Sequence, residues 1–274
     1  MREGALAKYT KKTLMYLFLI LASLLSIFPL YWSFISAFNN TQQILGGRMI
    51  PSVYLVQNIQ NLFEQQDVFT ALKNSFATSI LQTVVALAVS SIAGYGFEIY
   101  HDKAKDSVMS ILMLAMMVPF VAVLVPLFQM FTQAGLINSW IGFILPSIST
   151  PFLIMYFRNS ARSFPRDTLE AARIDGLNEF QIFVRMFVPM MRPTYAAAAT
   201  ITFMNAWNAY LWPKVVMQTN ESITMPMLVA NLMGGYVIDF GVVMAGVTIC
   251  SLPTIVIFFL LQKSFTNAVA GAVK

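Results

Sequence analysis

The sequence predicts an all-α, polytopic membrane protein, and three observations carry that prediction. Apolar residues make up 58% of the 274-residue chain and charged residues only 11%, where soluble domains carry about 25% charged. Mean hydropathy is +0.69. Uncharged stretches long enough to cross a bilayer recur, and basic residues gather in alternate connecting segments. Twenty-three Phe and 18 Met cannot all be hidden in a globule of 30.6 kDa whose surface must still be wetted. A soluble enzyme is excluded on that ground. Disorder is excluded as well, because disordered chains are poor in apolar residues.

A bilayer core about 30 Å thick needs roughly 20 apolar residues of helix. No charge occurs between Lys12 and Arg48, which places a first span at 13–38. It follows a basic head (Arg2, Lys8, Lys11, Lys12), but its apolar run exceeds the roughly 7–15 residues of a signal peptide, so it reads as a retained helix. A second span covers 74–97. Residues 107–157 are uncharged throughout and too long for one crossing; the run breaks at Thr132–Ser139, giving spans at 107–131 and 139–157. Pro119, Pro126, Pro146 and Pro151 interrupt these two, and broken helices either line cavities or serve packing. A fifth span is expected at 193–213 and a sixth at 240–262. The whole is one transmembrane domain of six helices.

Six spans put both termini on one side. With that side cytoplasmic, 14 of the 17 basic residues face the cytoplasm, and only Arg48, Lys73 and Lys214 lie outside, as the positive-inside rule requires. The basic pI of about 9.3 therefore reports topology, and nucleic acid need not be invoked. The outer loops, near 39–73 and 214–239, carry no specific signal.

Inside the six spans there is no Asp, Glu, Lys, Arg or His. Ion-coupled pumps ordinarily hold such groups at membrane depth, and intramembrane acid–base catalysis needs them too, so no catalytic residue is assigned. One Cys and one His exclude an intrachain disulfide framework and a zinc site of several Cys and His ligands; no metal ligands are assigned. No Lys follows the glycine pattern of a phosphate-binding P-loop. If the chain moves a solute uphill, the energy has to come from another subunit.

One connecting segment, about 158–192, stands apart. It holds six basic residues and the acids Asp167, Glu170, Asp175 and Glu179. It reads as two short helices: Asp167 caps the first, with Glu170 three residues on completing a capping box, and Gly176 takes the left-handed position after its end. Asn178 caps the second, with Gln181 three residues on, and Phe180, Phe183 and Phe187 form an apolar stripe. Such a hairpin is built to seat in a partner's groove; the same features also suit a hairpin packed on its own bundle, with Glu170 merely capping.

Glu170-Ala171-Ala172, then three residues, Gly176, and a run to Val188-Pro189 resembles the EAA loop of bacterial ABC importer permeases, whose pattern is E-A-A-x3-G-x9-I-x-L-P. Met186 stands where Ile is usual and Val188 where Leu is usual, both mild departures. The string Phe164–Gly176, the segments Gly135–Asn138, Leu145-Pro146 and Trp207–Pro213, and the tail from Gln262 extend the likeness over nearly the whole chain. It is closest to the maltose-type carbohydrate permeases, in particular their shorter, six-helix partner.

The resemblance implies a multi-pass subunit of the bacterial cell (inner) membrane with both termini cytoplasmic. Its loop would dock as a coupling helix on a cytosolic ATPase through Glu170, Ala171, Ala172, Asp175, Gly176 and Phe180. It implies as partners a second related permease, two copies of the ATP-binding subunit, an extracytoplasmic solute-binding protein, the lipid bilayer and a sugar substrate. The chain itself would carry no cofactor, with ATP and Mg in the partner ATPase. Other cargo, such as a polyol phosphate, would keep the same machine; a self-sufficient facilitator would leave the loop without a purpose.

For the solute path, Asn205, Asn208 and Trp212 are spaced three and four apart and are expected on one helical face. Amides with an aromatic plate suit a sugar. The same residues equally suit hydrogen bonding to a neighbouring helix and anchoring at a span end.

Overall fold

Helices account for the architecture because a bilayer leaves no other way to satisfy the backbone of an isolated segment. The computed structural model describes the backbone of residues 2–272 and the side chains of residues 11–260. Among the described residues, three helices are long and apolar enough to cross a membrane: the Lys11–Ser36 part of Arg2–Ser36, Val68–Ile99, and the Phe240–Leu260 part of Phe240–Ala272. Two bent pairs pass the same test together, Lys103–Ala115 with Phe120–Gln133 (99°) and Trp140–Ser147 with Pro151–Ala161 (54°), which gives up to five where each bent pair counts as one span.

Both bends sit where proline dictates. Pro119 precedes the helix Phe120–Gln133 with ψ at 132°, and Pro151 opens Pro151–Ala161 behind Thr150, whose hydroxyl accepts from the Leu153 amide. A proline denies its predecessor the helical region and supplies no N–H of its own. The segment expected to be a single helix at 193–213 differs. Helix Arg192–Trp207 ends at Asn208, and a separate short helix, Leu211–Val216, follows.

By its internal contacts the chain divides into two units. One comprises the residues up to Gln66 together with Val229–Ser251; the other comprises Asp67–Leu228 with the segment from Leu252 onward. In the first, Asn58 is buried on helix Leu55–Gln65 and donates to the carbonyls of Ala37 (2.9 Å) and Asn39 (3.0 Å). Gly241 lies so close to this amide that a Cβ there would sit 2.7 Å from Asn58 Oδ1.

In the second unit, Val68–Ile99 is the central helix, packed on Pro151–Ala161 and Arg192–Trp207. Much of its buried side is small and polar: Asn74, Ser75, Thr78, Ser79, Ser90, Ser91 and Gly94. Lipid is as apolar as leucine, so membrane helices gain by close backbone approach and interhelical hydrogen bonds. Asn74 shows this, donating to the Glu221 and Ile223 carbonyls at 2.8 and 3.0 Å and accepting from Trp140 Nε1 at 3.2 Å. Ala86, Leu153, Phe157 and Ala198 fill the space between these helices.

Candidate functional site

The 158–192 segment forms the helix–turn–helix that its sequence describes, with one change at its start. Helix Arg166–Ile174 is entered from Pro165 with no side-chain cap, and Asp167 lies inside its first turn. The expected box between Asp167 and Glu170 is therefore absent. Pro165, extended with ψ at 126°, begins the helix two residues early, and Asp167 is left to oppose the positive end of the helix dipole. Glu170 makes no hydrogen bond or ion pair among the described residues, so capping is not its role.

The turn obeys its local signals. Gly176 has φ +78°; its amide bonds the Arg173 carbonyl (3.1 Å) and the Leu177 amide reaches the Ala172 carbonyl (3.0 Å). This pairing satisfies the last carbonyls of a helix that ends through a left-handed residue. Asn178 then caps Glu179–Ile182 and forms the reciprocal box with Gln181. The helix widens to a π stretch over Phe183–Phe187 before Pro189. The missing N–H of Pro189 breaks the regular ladder there, and a wider turn accommodates the break.

The hairpin has two unlike faces. Leu169, Ala172, Ile182 and Phe187 turn inward and are buried with Tyr95, Ala161, Phe164 and Met191. Tyr95 of the central helix meets Phe187 and Phe183 edge-on at 4.9 and 5.3 Å, and Phe183 stacks on Phe187 at 5.5 Å. The outward face presents Glu170, Ala171, Asp175 and Gly176, with Ile174 and Phe180 at 86% and 70% exposure. The expected aromatic stripe is thus divided, with Phe183 and Phe187 inward and Phe180 outward. Ala172 departs from its expected placement: at 2% exposure it lets the helix pack closely on its own chain, and it offers nothing to a partner.

Ion pairs fasten this hairpin and the helix before it. Arg173 Nε donates to Glu179 Oε1 at 2.8 Å. The Tyr100 hydroxyl, and after it the Arg173 guanidinium, hold the Glu179 carboxyl below the usual glutamate range. Arg158, 5% exposed, donates to Glu98 Oε2 at 3.3 Å and to Asp106; Arg162 shares the same Glu98 oxygen at 3.3 Å. Sequence gave no local signal for Arg158 as a buried clamp, because its partners lie 52 and 60 residues away.

The three solute-path residues are not brought together. The break after Trp207 takes Trp212 off the helix that carries Asn205. Trp212 is buried, its indole N–H donating to the Gly142 and Phe143 carbonyls (3.0 and 3.2 Å) and its ring lying edge-on to Phe131 at 5.1 Å. It holds protein together and presents no plate. Asn205 and Asn208 are exposed, and Asn208 returns its amide to the Met204 carbonyl at 2.8 Å. The tail from Gln262, which carries part of the resemblance, has its side chains outside the described residues.

A helical chain of apolar spans with proline-broken pairs and a hairpin exposed on one face defines the class of polytopic membrane transport components. The chain belongs to the family described as "Binding-protein-dependent transport system inner membrane component", which it matches over residues 92–271. It is 43% identical over 259 residues to the lactose transport system permease protein LacG of Rhizobium radiobacter, covering 94% of this chain and 95% of that one. It is 33% identical over 264 residues to the arabinooligosaccharides transport system permease protein AraQ of Bacillus subtilis, covering 94% of each. Its fold is that of a chain in the crystal structure of a bacterial ABC transporter involved in the import of the acidic polysaccharide alginate. That match has a TM-score of 0.82 at 19% identity and covers 93% of this chain and 96% of the other.

Proposed function

We propose that this chain is the permease subunit of an ATP-driven importer that moves a sugar or oligosaccharide into the cytoplasm. The sugar follows from the relatives at 43% and 33% identity, permease proteins of a lactose and an arabinooligosaccharide transport system. The observation that carries the coupling role is the two-faced hairpin: one face is locked onto the central helix, while Glu170, Ala171, Ile174 and Phe180 stand uncovered on the other. A helical surface that sets the carboxylates of Glu170 and Asp175 beside apolar Ile174 and Phe180 suits a groove with a basic group, here in a cytosolic ATPase that binds ATP and Mg. The excess of basic residues on one side supports cytoplasmic termini. A second permease and an outside binding protein complete the machine.

Force applied to the docked hairpin reaches the spans through its buried face. Tyr95, edge-on to the stacked pair Phe183 and Phe187, and Glu179, held beside Tyr100, tie the hairpin to the end of Val68–Ile99. Closure of two ATPases would therefore carry this helix along as a rigid body, which is the requirement for alternating access.

Co-expression with candidate ATPase and permease subunits tests the reading. The expected result is a stable complex whose ATP hydrolysis drives sugar uptake, and Glu170→Lys abolishes uptake while membrane insertion persists. Uptake by the chain alone, or unchanged uptake with Glu170→Lys, overturns it.

A further inference from the structure

Helix Leu55–Gln65 is amphipathic in an unusual sense: one side is fixed and the other is a row of amides. Leu62 and Asn58 are buried at 0% and 4%, and Asn58 is spent on two backbone carbonyls. Gln57, Asn61 and Gln65 follow at intervals of four, so they share one face. None of these three side chains makes a hydrogen bond among the described residues. The row faces two adjoining cavities of about 280 and 240 Å³. Tyr54, Gln57 and Asn61 line the first, Gln65 and Gln66 the second, and Asp239 lines both. Each falls just under the roughly 300 Å³ at which small-molecule sites begin.

Asp239 is a fixed wall between the two. Its Oδ1 accepts from the Thr41 hydroxyl (3.1 Å) and the amides of Gly241 (3.0 Å) and Val242 (3.3 Å), while its other oxygen has no hydrogen bond among the described residues. No cationic side chain lines either cavity, which speaks against a phosphate or carboxylate ligand. A neutral amide donates and accepts at once, which is what a hydroxyl requires, and a lone carboxylate oxygen accepts from a hydroxyl pair. The pattern fits a neutral polyhydroxylated ring.

We infer that this amide face is a carbohydrate subsite at the outer mouth of the chain, where sugar released from the binding protein is held before entering the spans. The inference rests on the proposed sugar import and on this segment lying outside. The binding test uses the assembled complex of this chain, its partner permease and ATPase, without binding protein; uptake and binding-protein attachment are measured on the same complex with the binding protein added. Saturation-transfer NMR is read with lactose and a linear arabino-oligosaccharide as probes.

With Gln57→Leu plus Asn61→Leu the signal of at least one probe should fall about tenfold, and the KM of uptake should rise at an unchanged maximal rate. Gln60→Leu, on the same helix but outside both cavities, should change neither. Equal binding by wild type and double variant, or no binding by wild type, overturns the subsite. So does a variant that weakens attachment of the binding protein alone, since the amides would then be a protein-docking face. A complex that imports no sugar at all refutes the transport reading instead; normal import kinetics in the double variant refute only the subsite.

Discussion

Arg173 and Glu179 clasp the two arms of the hairpin across the Gly176 turn, Nε to Oε1 at 2.8 Å. Both side chains are 43% exposed, so solvent screens the pair, and its value is orientation rather than stability. Glu179 is held below the ordinary glutamate range, first by the Tyr100 hydroxyl and then by Arg173. A depressed carboxyl contributes its stabilisation above its unfolded value, about 4.3, and loses it as pH falls through the lower folded value. A spin label at Ile174, in a chain held in a lipid nanodisc, should therefore keep the same mobility from pH 7 to 5 and loosen only below the glutamate range. Glu179→Gln should show the loosened spectrum at pH 7 with an unchanged Tm.

Gly176 is required for its backbone and not for space. Its φ is +78°, and a Cβ built there meets nothing within 4 Å. A β-branched residue costs about 1–2 kcal/mol in this region, whereas Asn visits it readily. Gly176→Val should reduce uptake by at least tenfold while leaving membrane insertion intact, and Gly176→Asn should retain most activity. Equal loss in both variants would show that the turn matters through contact with a partner.

What was legible in the sequence was local. The Gly176 turn and the Asn178–Gln181 box depend on residues within a few positions, and they form as written. Asp167 failed as a cap because Pro165, two residues earlier, already starts the helix. The aromatic stripe gave the right helix but could not show that Phe180 faces away while Phe187 is buried. Arg158 and Trp212 were illegible for a different reason: their partners, Glu98 with Asp106 and the Gly142–Phe143 carbonyls, are brought to them by packing between distant segments.

Trp212 separates a structural aromatic from a substrate plate. Trp212→Phe keeps most of the ring but orphans the two carbonyls, each a buried group whose loss of a partner costs about 1–3 kcal/mol. Thermal unfolding in detergent should shift down by several degrees while the KM for uptake stays within twofold. Asn208→Ala removes only an exposed bond to the Met204 carbonyl and should change neither. A raised KM with normal stability in Trp212→Phe would restore this residue to the solute path.

Gly94 and Gly96 lie two residues apart on the central helix, and their substitution by Ala should have opposite effects. A Cβ at Gly94 would sit 2.6 Å from Phe157 Cβ, 2.7 Å from the Arg158 amide nitrogen and 2.8 Å from the Ile154 carbonyl oxygen. Two of these atoms are backbone, so no rotamer change relieves the clash; helices Val68–Ile99 and Pro151–Ala161 must separate, at about 1–3 kcal/mol for overpacking of this kind. That separation would also pull Arg158 from Glu98. At Gly96 nothing lies within 4 Å, and Ala is favoured over Gly in a helix by about 1 kcal/mol. Thermal unfolding in one detergent should therefore show Gly94→Ala several degrees below wild type and Gly96→Ala equal to it or above. If both fall together, the glycines supply helix flexibility, and close packing at Gly94 is not what holds these two helices.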